Sequence, residues 1–266
     1  MRVALTRAVS PNIGRCELTH LARQPIDVEV ARMQHARYEA CLAELGCQVQ
    51  RLPAAPDLPD SVFVEDTAVV LDELAIITRP GAESRRPETA AVAQALQPYR
   101  RLAHIVAPAT LDGGDVLCVG RQVFVGLSPR TNPAGIAQLQ DLLEPWGYTV
   151  KSVPVRGCLH LKSAATLVAT DTLLINRAWV DAQAFGPLEL IDVDPAEPFG
   201  GNALLVGETV VYPMAYPATR RRLEGRGIPV RVVDVSELAK AEGGVTCCSL
   251  LAIVAAFSFS PGNCLP

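Results

Sequence analysis

The sequence predicts an α/β fold of five ββαβ units set in a ring, closed by pairing of the N- and C-terminal segments. Three observations predict it. Apolar runs of strand length alternate with stretches of helical periodicity along the chain. Helix starts near 86, 133, 177 and 218 recur at intervals of about 40–47 residues, the size of a repeating supersecondary unit. The two ends are complementary: the first helix lacks a strand pair before it, and the last strands, around 245–254, lack a helix after them. An irregular α+β domain is the alternative arrangement of the same elements.

The elements follow in order. Arg2–Thr6 reads as a strand. Pro11, Asn12, Gly14 and Pro25 make 10–25 a loop. Ile26–Leu45 reads as a helix, with Val28, Ala31, Cys41, Leu42 and Leu45 near one face and Gly46 as the stop. Gln48–Leu52 returns as a strand, and a proline-rich loop spans 53–59. Four units then repeat one plan. Val62–Leu71 and Leu74–Thr78 form a strand pair before a helix near Arg86–Leu96 and a strand at Leu102–Ala107. Val116–Val119 and Gln122–Val125 precede a helix near Pro133–Glu144 and a strand at Tyr148–Val153. Ala164–Ala169 and Thr172–Ile175 precede a helix near Arg177–Phe185 and a strand at Leu188–Ile191. Ala203–Val206 and Val210–Tyr212 precede a helix near Ala218–Gly225 and a strand at Val230–Val233. Residues 1–257 are thus expected to form a single domain. Residues 258–266, with Pro261, Gly262 and Pro266, are expected to be a flexible tail.

Composition narrows the function classes. The 266 residues are 49% hydrophobic and 20% charged, ordinary for a folded globular chain. The 24 basic and 28 acidic residues give a net charge of −4, without the basic excess of a nucleic-acid binder. Aromatics at 5% leave little for base stacking. The longest apolar run, Leu250–Phe257, is far shorter than the roughly 20 residues of a membrane helix, and the N-terminus lacks a signal-peptide core. The eight cysteines are too sparse for a disulfide scaffold and include no CxxC pair. The expected setting is cytoplasmic, with reduced thiols and neither nucleic acid nor membrane as partner.

The chemistry-bearing residues gather at strand entrances. Gly243-Gly244-Val245-Thr246-Cys247-Cys248-Ser249 sets two cysteines after paired glycines, which let the backbone approach a ligand. Most cysteines are small buried hydrophobes, and adjacent strand residues face opposite ways, so at most one of the two faces a site. His160 precedes a strand pair, where an imidazole can exchange protons with a thiol. Asp60 to Asp66 and Asp112-Gly113-Gly114-Asp115 each open a strand pair. Asp-Gly turn chemistry accounts for the second, but poorly for Phe63-Val64-Glu65-Asp66 in an apolar stretch. Arg85, Arg86 and Arg130 lie in loops, where a guanidinium can fork a carboxylate or simply be solvated. A thiol, an imidazole, a negative end and a positive end complement a zwitterion with an extra cationic head.

Six segments resemble the dimethylarginine dimethylaminohydrolase family, within the guanidino-modifying pentein superfamily. They are Phe63-Val64-Glu65-Asp66, Ile77 through Arg86, Leu111-Asp112-Gly113-Gly114-Asp115-Val116-Leu117, Arg130-Thr131-Asn132, Leu159-His160-Leu161-Lys162 and Gly243-Gly244-Val245-Thr246-Cys247. The resemblance implies a five-bladed ββαβ propeller, in agreement with the repeat count. It also implies Cys247 as nucleophile, His160 as general acid and base, and Asp112 with Asp66 as carboxylates gripping a guanidinium. Glu65 would support His160 or the substrate, and Asp60 would be a further acid at the site. Arg85 and Arg130 would clamp the α-carboxylate, and Leu18 would sit in a mobile lid. Some family members carry Glu at the place of Asp112; the shorter side chain keeps the charge and moves it by one C–C bond.

The implied reaction converts Nω-methylated arginine to citrulline through a covalent thiouronium on Cys247, with no metal or organic cofactor. Arginine deiminases, similar in plan, place an aspartate two residues after the catalytic histidine. Lys162 stands there in this chain, which favours a leaving nitrogen that carries methyl groups. An arginine deiminase, a hydrolase of another guanidino compound and a non-catalytic binding propeller are the alternatives. Adjacent cysteines lack structural-zinc spacing, but a thiolate–imidazole pair could bind adventitious, inhibitory zinc. The expected partner is a small methylated arginine, and the expected state is a monomer or homodimer.

Overall fold

Five three-stranded sheets form the ring in this computed structural model, which describes residues 1–254. In chain order, β1 (Arg2–Arg7), α1 (Val28–Glu44) and β2 (Cys47–Leu52) begin the first blade. The second holds β3 (Ala68–Val70), β4 (Leu74–Ile77), α2 (Thr89–Leu96) and β5 (Arg101–His104). The third holds β6 (Val116–Val119), β7 (Gln122–Leu127), α3 (Pro133–Leu143) and β8 (Thr149–Pro154). A one-turn helix, α4 (Leu161–Ala164), leads into β9 (Ala165–Ala169), β10 (Thr172–Ile175) and β11 (Glu189–Asp192). The fifth holds β12 (Leu204–Val206), β13 (Thr209–Pro213), α5 (Pro217–Glu224) and β14 (Val230–Val233). Another short helix, α6 (Ser236–Ala239), precedes β15 (Leu250–Ile253). In each sheet the central strand runs antiparallel to one neighbour and parallel to the other.

The first blade is completed by both ends of the described chain. β15 pairs antiparallel with β1 from Arg2↔Ile253 to Leu5↔Leu250, and the N-terminal amine donates to the Val254 carbonyl at 2.9 Å.

Each central strand is apolar on both faces because each face belongs to a different junction. On β4, Ile76 packs toward the third blade while Ala75 and Ile77 pack toward the first. On β7, Val123 and Val125 pack toward the second blade and Phe124 toward the fourth. On β10, Leu173 and Ile175 face one neighbour and Leu174 the other; on β13, Val210 and Tyr212 are split from Val211 in the same way. The apolar core therefore falls into five clusters, one per blade junction. The two-residue side-chain period of a strand produces this split, and burial on both faces produces the unbroken apolar runs.

Three expected elements come out differently. Only Ala68–Val70 of the Val62–Leu71 run is strand; 62–67 is turn and 3-10 backbone. Its apolar members, such as Val62 and Val64, are fully buried beneath the site, so hydrophobicity there reports burial and not pairing. The helix near Arg177–Phe185 is a turn closed by the 3-10 segment Ala182–Phe185. Asn176 and Asp181 accept from the amides two residues ahead, of Ala178 and Gln183, and hold the backbone in turns. Of the stretch around 245–254, only Leu250–Ile253 is strand, because 244–249 turns to carry the cysteines. The α6 turn has no counterpart in the sequence reading. The helix α1 starts two residues late because Asp27 caps it, accepting from Glu29 and Val30. The expected tail, 258–266, lies outside the described residues.

Candidate active site

Each blade is entered by a loop that leads into its first strand, and these loops meet at one end of the ring. Asp66 precedes β3, Asp112 precedes β6, His160 precedes β9, Asn202 precedes β12 and Cys247 precedes β15. Sequence-distant residues thereby share one pocket, lined by Asp60, Asp66, Arg85, Arg130, His160 and Cys247 among others.

His160 caps α4 and lies between two carboxylates. Its Nε2 is 3.0 Å from Asp112 Oδ2, and its Nδ1 is 3.7 Å from Asp66 Oδ1. Burial pulls the imidazole down, but Asp66, the Asp112 hydrogen bond and the Asp115 charge outweigh it and raise its pKa to about 9. The carboxylates are fixed by backbone amides: Gly114 donates to Asp66 Oδ1 at 3.0 Å and Gly81 to Asp112 Oδ1 at 2.9 Å. Burial pushes Asp66 up; the His160 and Arg85 charges overcome it and hold its pKa near 2. Gly114 is needed for this closeness, since a Cβ there would lie 2.6 Å from His160 Nδ1 and 2.7 Å from Asp66 Oδ1. Beneath them, buried Asp115 accepts from the Leu161 amide and from the hydroxyls of Ser128 and Thr131, which ties α4 to the third blade. Burial raises its pKa to about 6.

Cys247 sits on a tight turn. Its Sγ accepts from the Gly244 amide at 3.3 Å. Asn202 holds the same turn, donating to Thr246 Oγ1 and the Lys162 carbonyl and accepting from the Thr246 amide. Burial, then the Glu65 and Asp66 charges, push the Cys247 thiol far up. Cys248 faces the other way, fully buried in the core beside Tyr38, with its thiol donating to the Gly244 carbonyl. Asn202 was missed by sequence reasoning. Its signal is positional: Gly200-Gly201 before it parallels Gly113-Gly114 and Gly243-Gly244 in two of the other site loops.

Glu65 makes no side-chain hydrogen bond to His160. It accepts from Lys162 Nζ at 2.5 Å and from Thr246 Oγ1 at 2.8 Å. Lys162 is therefore a half-buried, charge-paired ammonium. Burial lowers its pKa, but Glu65 more than restores it.

The positive end is built unevenly. Arg85 is buried with every guanidinium nitrogen engaged: Nη1 to Asp66, Nε to Glu88, and Nη2 to Glu88 and the Phe63 carbonyl. Arg130 is buried too, but only its Nη2 is satisfied, by Thr19 Oγ1 at 3.2 Å. Its Nη1 has no hydrogen-bond partner and lies 3.8 Å from Asp112 Oδ2.

Loop 16–23 covers this end. The Asp60 carboxylate, pushed up by burial, accepts from the Glu17 amide at 3.1–3.2 Å. Leu18 packs against the core cluster between the first and fifth blades. Under the loop the pocket holds only about 10 Å³, the space of one water. A larger, mostly apolar cavity of about 230 Å³ adjoins it and shares Leu159, Glu242, Gly243 and Cys247 as a wall.

A family profile described as arginine deiminase matches residues 54–198. An N(G),N(G)-dimethylarginine dimethylaminohydrolase of Streptomyces coelicolor is 40% identical, the match covering 93% of this chain and 95% of that protein. The chain belongs to the dimethylarginine dimethylaminohydrolase family. The Pseudomonas aeruginosa enzyme of that name is 36% identical, over 87% of this chain and 91% of its own. A solved mutant of dimethylarginine dimethylaminohydrolase from Pseudomonas aeruginosa, complexed with citrulline, superposes with a TM-score of 0.89 at 33% identity. That match covers 93% of this chain and 98% of the other. The five-bladed pentein fold is common to both. Among the described residues no helix is long and apolar enough to cross a membrane.

Proposed function

We propose that the protein hydrolyses Nω-methylated arginine to citrulline and methylamine or dimethylamine, its blades forming one catalytic domain. The observation that carries this reading is the convergence of a thiol, a raised-pKa imidazole and paired carboxylates on one covered pocket. Asp66 and Asp112 offer acceptors to the guanidinium N–H groups. The orphaned Nη1 of Arg130 offers a donor to the α-carboxylate, with Arg85 adding positive charge behind Asp66. The ligand atoms of Asp66, Asp112 and His160 all lie within 4.8 Å of one another, a cradle suited to a cation.

Burial and the Glu65 and Asp66 charges favour the thiol form of Cys247, and the flanking carboxylates favour the imidazolium form of His160. A bound guanidinium offsets the Glu65 and Asp66 charges that hold the thiol protonated, so substrate binding favours the thiolate, with the thiol proton released to solvent water and His160 keeping its own. Sγ then attacks the guanidinium carbon, which becomes tetrahedral while the carboxylates hold the remaining nitrogens. His160 gives its proton to the departing nitrogen, the C–N bond breaks, and a thiouronium on Cys247 remains. Water attacks the same carbon as His160 takes its proton. The C–S bond breaks and citrulline leaves.

Lys162 supports a methylated leaving group. Paired with Glu65, it presents no acceptor where deiminases place a second aspartate. The arginine deiminase profile favours one second reading, release of ammonia from arginine. Purified protein with equimolar arginine and asymmetric dimethylarginine separates them by NMR. Citrulline and dimethylamine, with arginine untouched, are expected; citrulline and ammonia would establish the deiminase. A thiol nucleophile suits a reducing compartment, which supports the cytoplasm as its location.

A further inference from the structure

Loop 16–23 contains neither helix nor strand, and its amides find an unusual partner. The Glu242 carboxylate accepts from three consecutive N–H groups: Thr19 at 3.0 and 3.1 Å, His20 at 2.5 Å and Leu21 at 2.6 Å. Successive amides converging on one anion form the concave donor site seen at anion-binding turns, here filled from within the chain. Glu242 has a φ of +58°, and among the described residues it is the one non-glycine with positive φ. A side chain with a Cβ rarely adopts that conformation, and it persists only where surrounding contacts hold it. Glu242 also lines both the catalytic pocket and the adjoining cavity, five residues before Cys247.

We propose that Glu242 is a positioning residue, a latch that closes loop 16–23 over the site and couples the closed loop to the segment carrying the nucleophile. Two other ties of the loop are to site residues: Asp60 holds the Glu17 amide, and Arg130 holds Thr19; Ser84 also donates to the Glu17 carboxylate, and Arg23 folds back on the Gly14 and Cys16 carbonyls. A substrate carboxylate that forks onto both Nη1 and Nη2 of Arg130 displaces the Thr19 contact. Glu242 touches neither the guanidinium carboxylates nor Arg130 by hydrogen bond, so its grip survives that exchange and keeps the loop closed over bound substrate. The kinetic part rests on the methylarginine hydrolase reading; the latch itself does not.

Two variants of the full chain test it. Glu242→Gly removes the carboxylate and suits the positive φ, so the fold is retained. Glu242→Gln keeps the shape and one acceptor oxygen but loses the charge. Amide hydrogen exchange at Thr19, His20 and Leu21 is expected to quicken about tenfold or more in the glycine variant, at an unchanged or higher melting temperature, and less in the glutamine variant. With dimethylarginine, KM should rise about tenfold or more while kcat stays within about threefold. Unchanged exchange at those three amides in folded Glu242→Gly would overturn the latch. Faster exchange with an unchanged KM would overturn its positioning role. Faster exchange in a protein that turns over no methylated arginine would support the latch and sink the functional reading.

Discussion

Replacing Asp112 by asparagine tests how the ring sets its proton donor. The buried Asp112 carboxylate serves two partners: Oδ1 accepts from the Gly81 amide and Oδ2 faces His160 Nε2. The Gly81 N–H is a fixed donor, so an asparagine must turn its oxygen toward Gly81. Its NH₂ then points at Nε2, where a protonated imidazole would meet donor with donor. Losing a hydrogen bond to a charged group costs about 1.5–3 kcal/mol, or about one to two pH units at 1.36 kcal/mol each. From its value of about 9, the His160 pKa should fall to roughly 7–8. The imidazolium is the form that protonates the leaving amine, so activity is lost as pH rises through the His160 pKa. The pH–rate profile of citrulline formation should therefore keep its alkaline limb near pH 9 in the wild type and show it about one to two units lower in Asp112→Asn. The shift also bears on stability. A histidine raised in the folded state contributes stability that is complete below about 6.5 and lost as pH rises through about 9, so the variant's melting temperature should depend less on pH over that window. An alkaline limb at the same pH in both proteins would refute the reasoning, whatever the loss in rate.

Four further variants have definite expected outcomes. Gly114→Ala should cut kcat about 100-fold by pushing His160 from Asp66 without changing any charge; near-normal turnover would mean the loops give way. Cys247→Ser should abolish turnover with the fold intact, whereas Cys248→Ser, buried and turned into the core, should keep most activity, as measured by citrulline release and circular dichroism. Arg130→Ala should raise KM about 10- to 100-fold with little change in kcat, and a loss confined to a single-turnover chemical step would contradict its place at the carboxylate end.

The candidate site was legible where its chemistry breaks the local pattern. Acids inside the apolar Phe63–Asp66 stretch, paired glycines before Cys247 and a histidine at a strand entrance all stand out in the sequence. What could not be read were side-chain partnerships across the ring. Glu65 pairs with Lys162 and Thr246, and Arg85 is saturated by Asp66 and Glu88. Asn202 pins the nucleophile's turn and Glu242 holds the loop. Each joins residues 19 to more than 200 positions apart except the neighbouring Arg85–Glu88 pair, and no periodicity encodes such distances.

The sequence by itself determined the repeat. Burial on both faces of a central strand forces an unbroken apolar run, and five such runs, four of them followed by a helix and one by a 3-10 turn, specify five blades. It also determined that the open ends must meet, because β1 alone has only one strand beside it in sequence order and needs β15 for the other edge. Tertiary structure decided the rest. Whether residues 62–67 and 244–249 extend as strands or turn as site loops depends on the ring axis, where backbone amides and buried charges satisfy one another. The raised pKa of His160, the raised pKa of the half-buried Cys247 thiol and the closed loop under Glu242 likewise arise only once carboxylates from separate blades are forced together out of water.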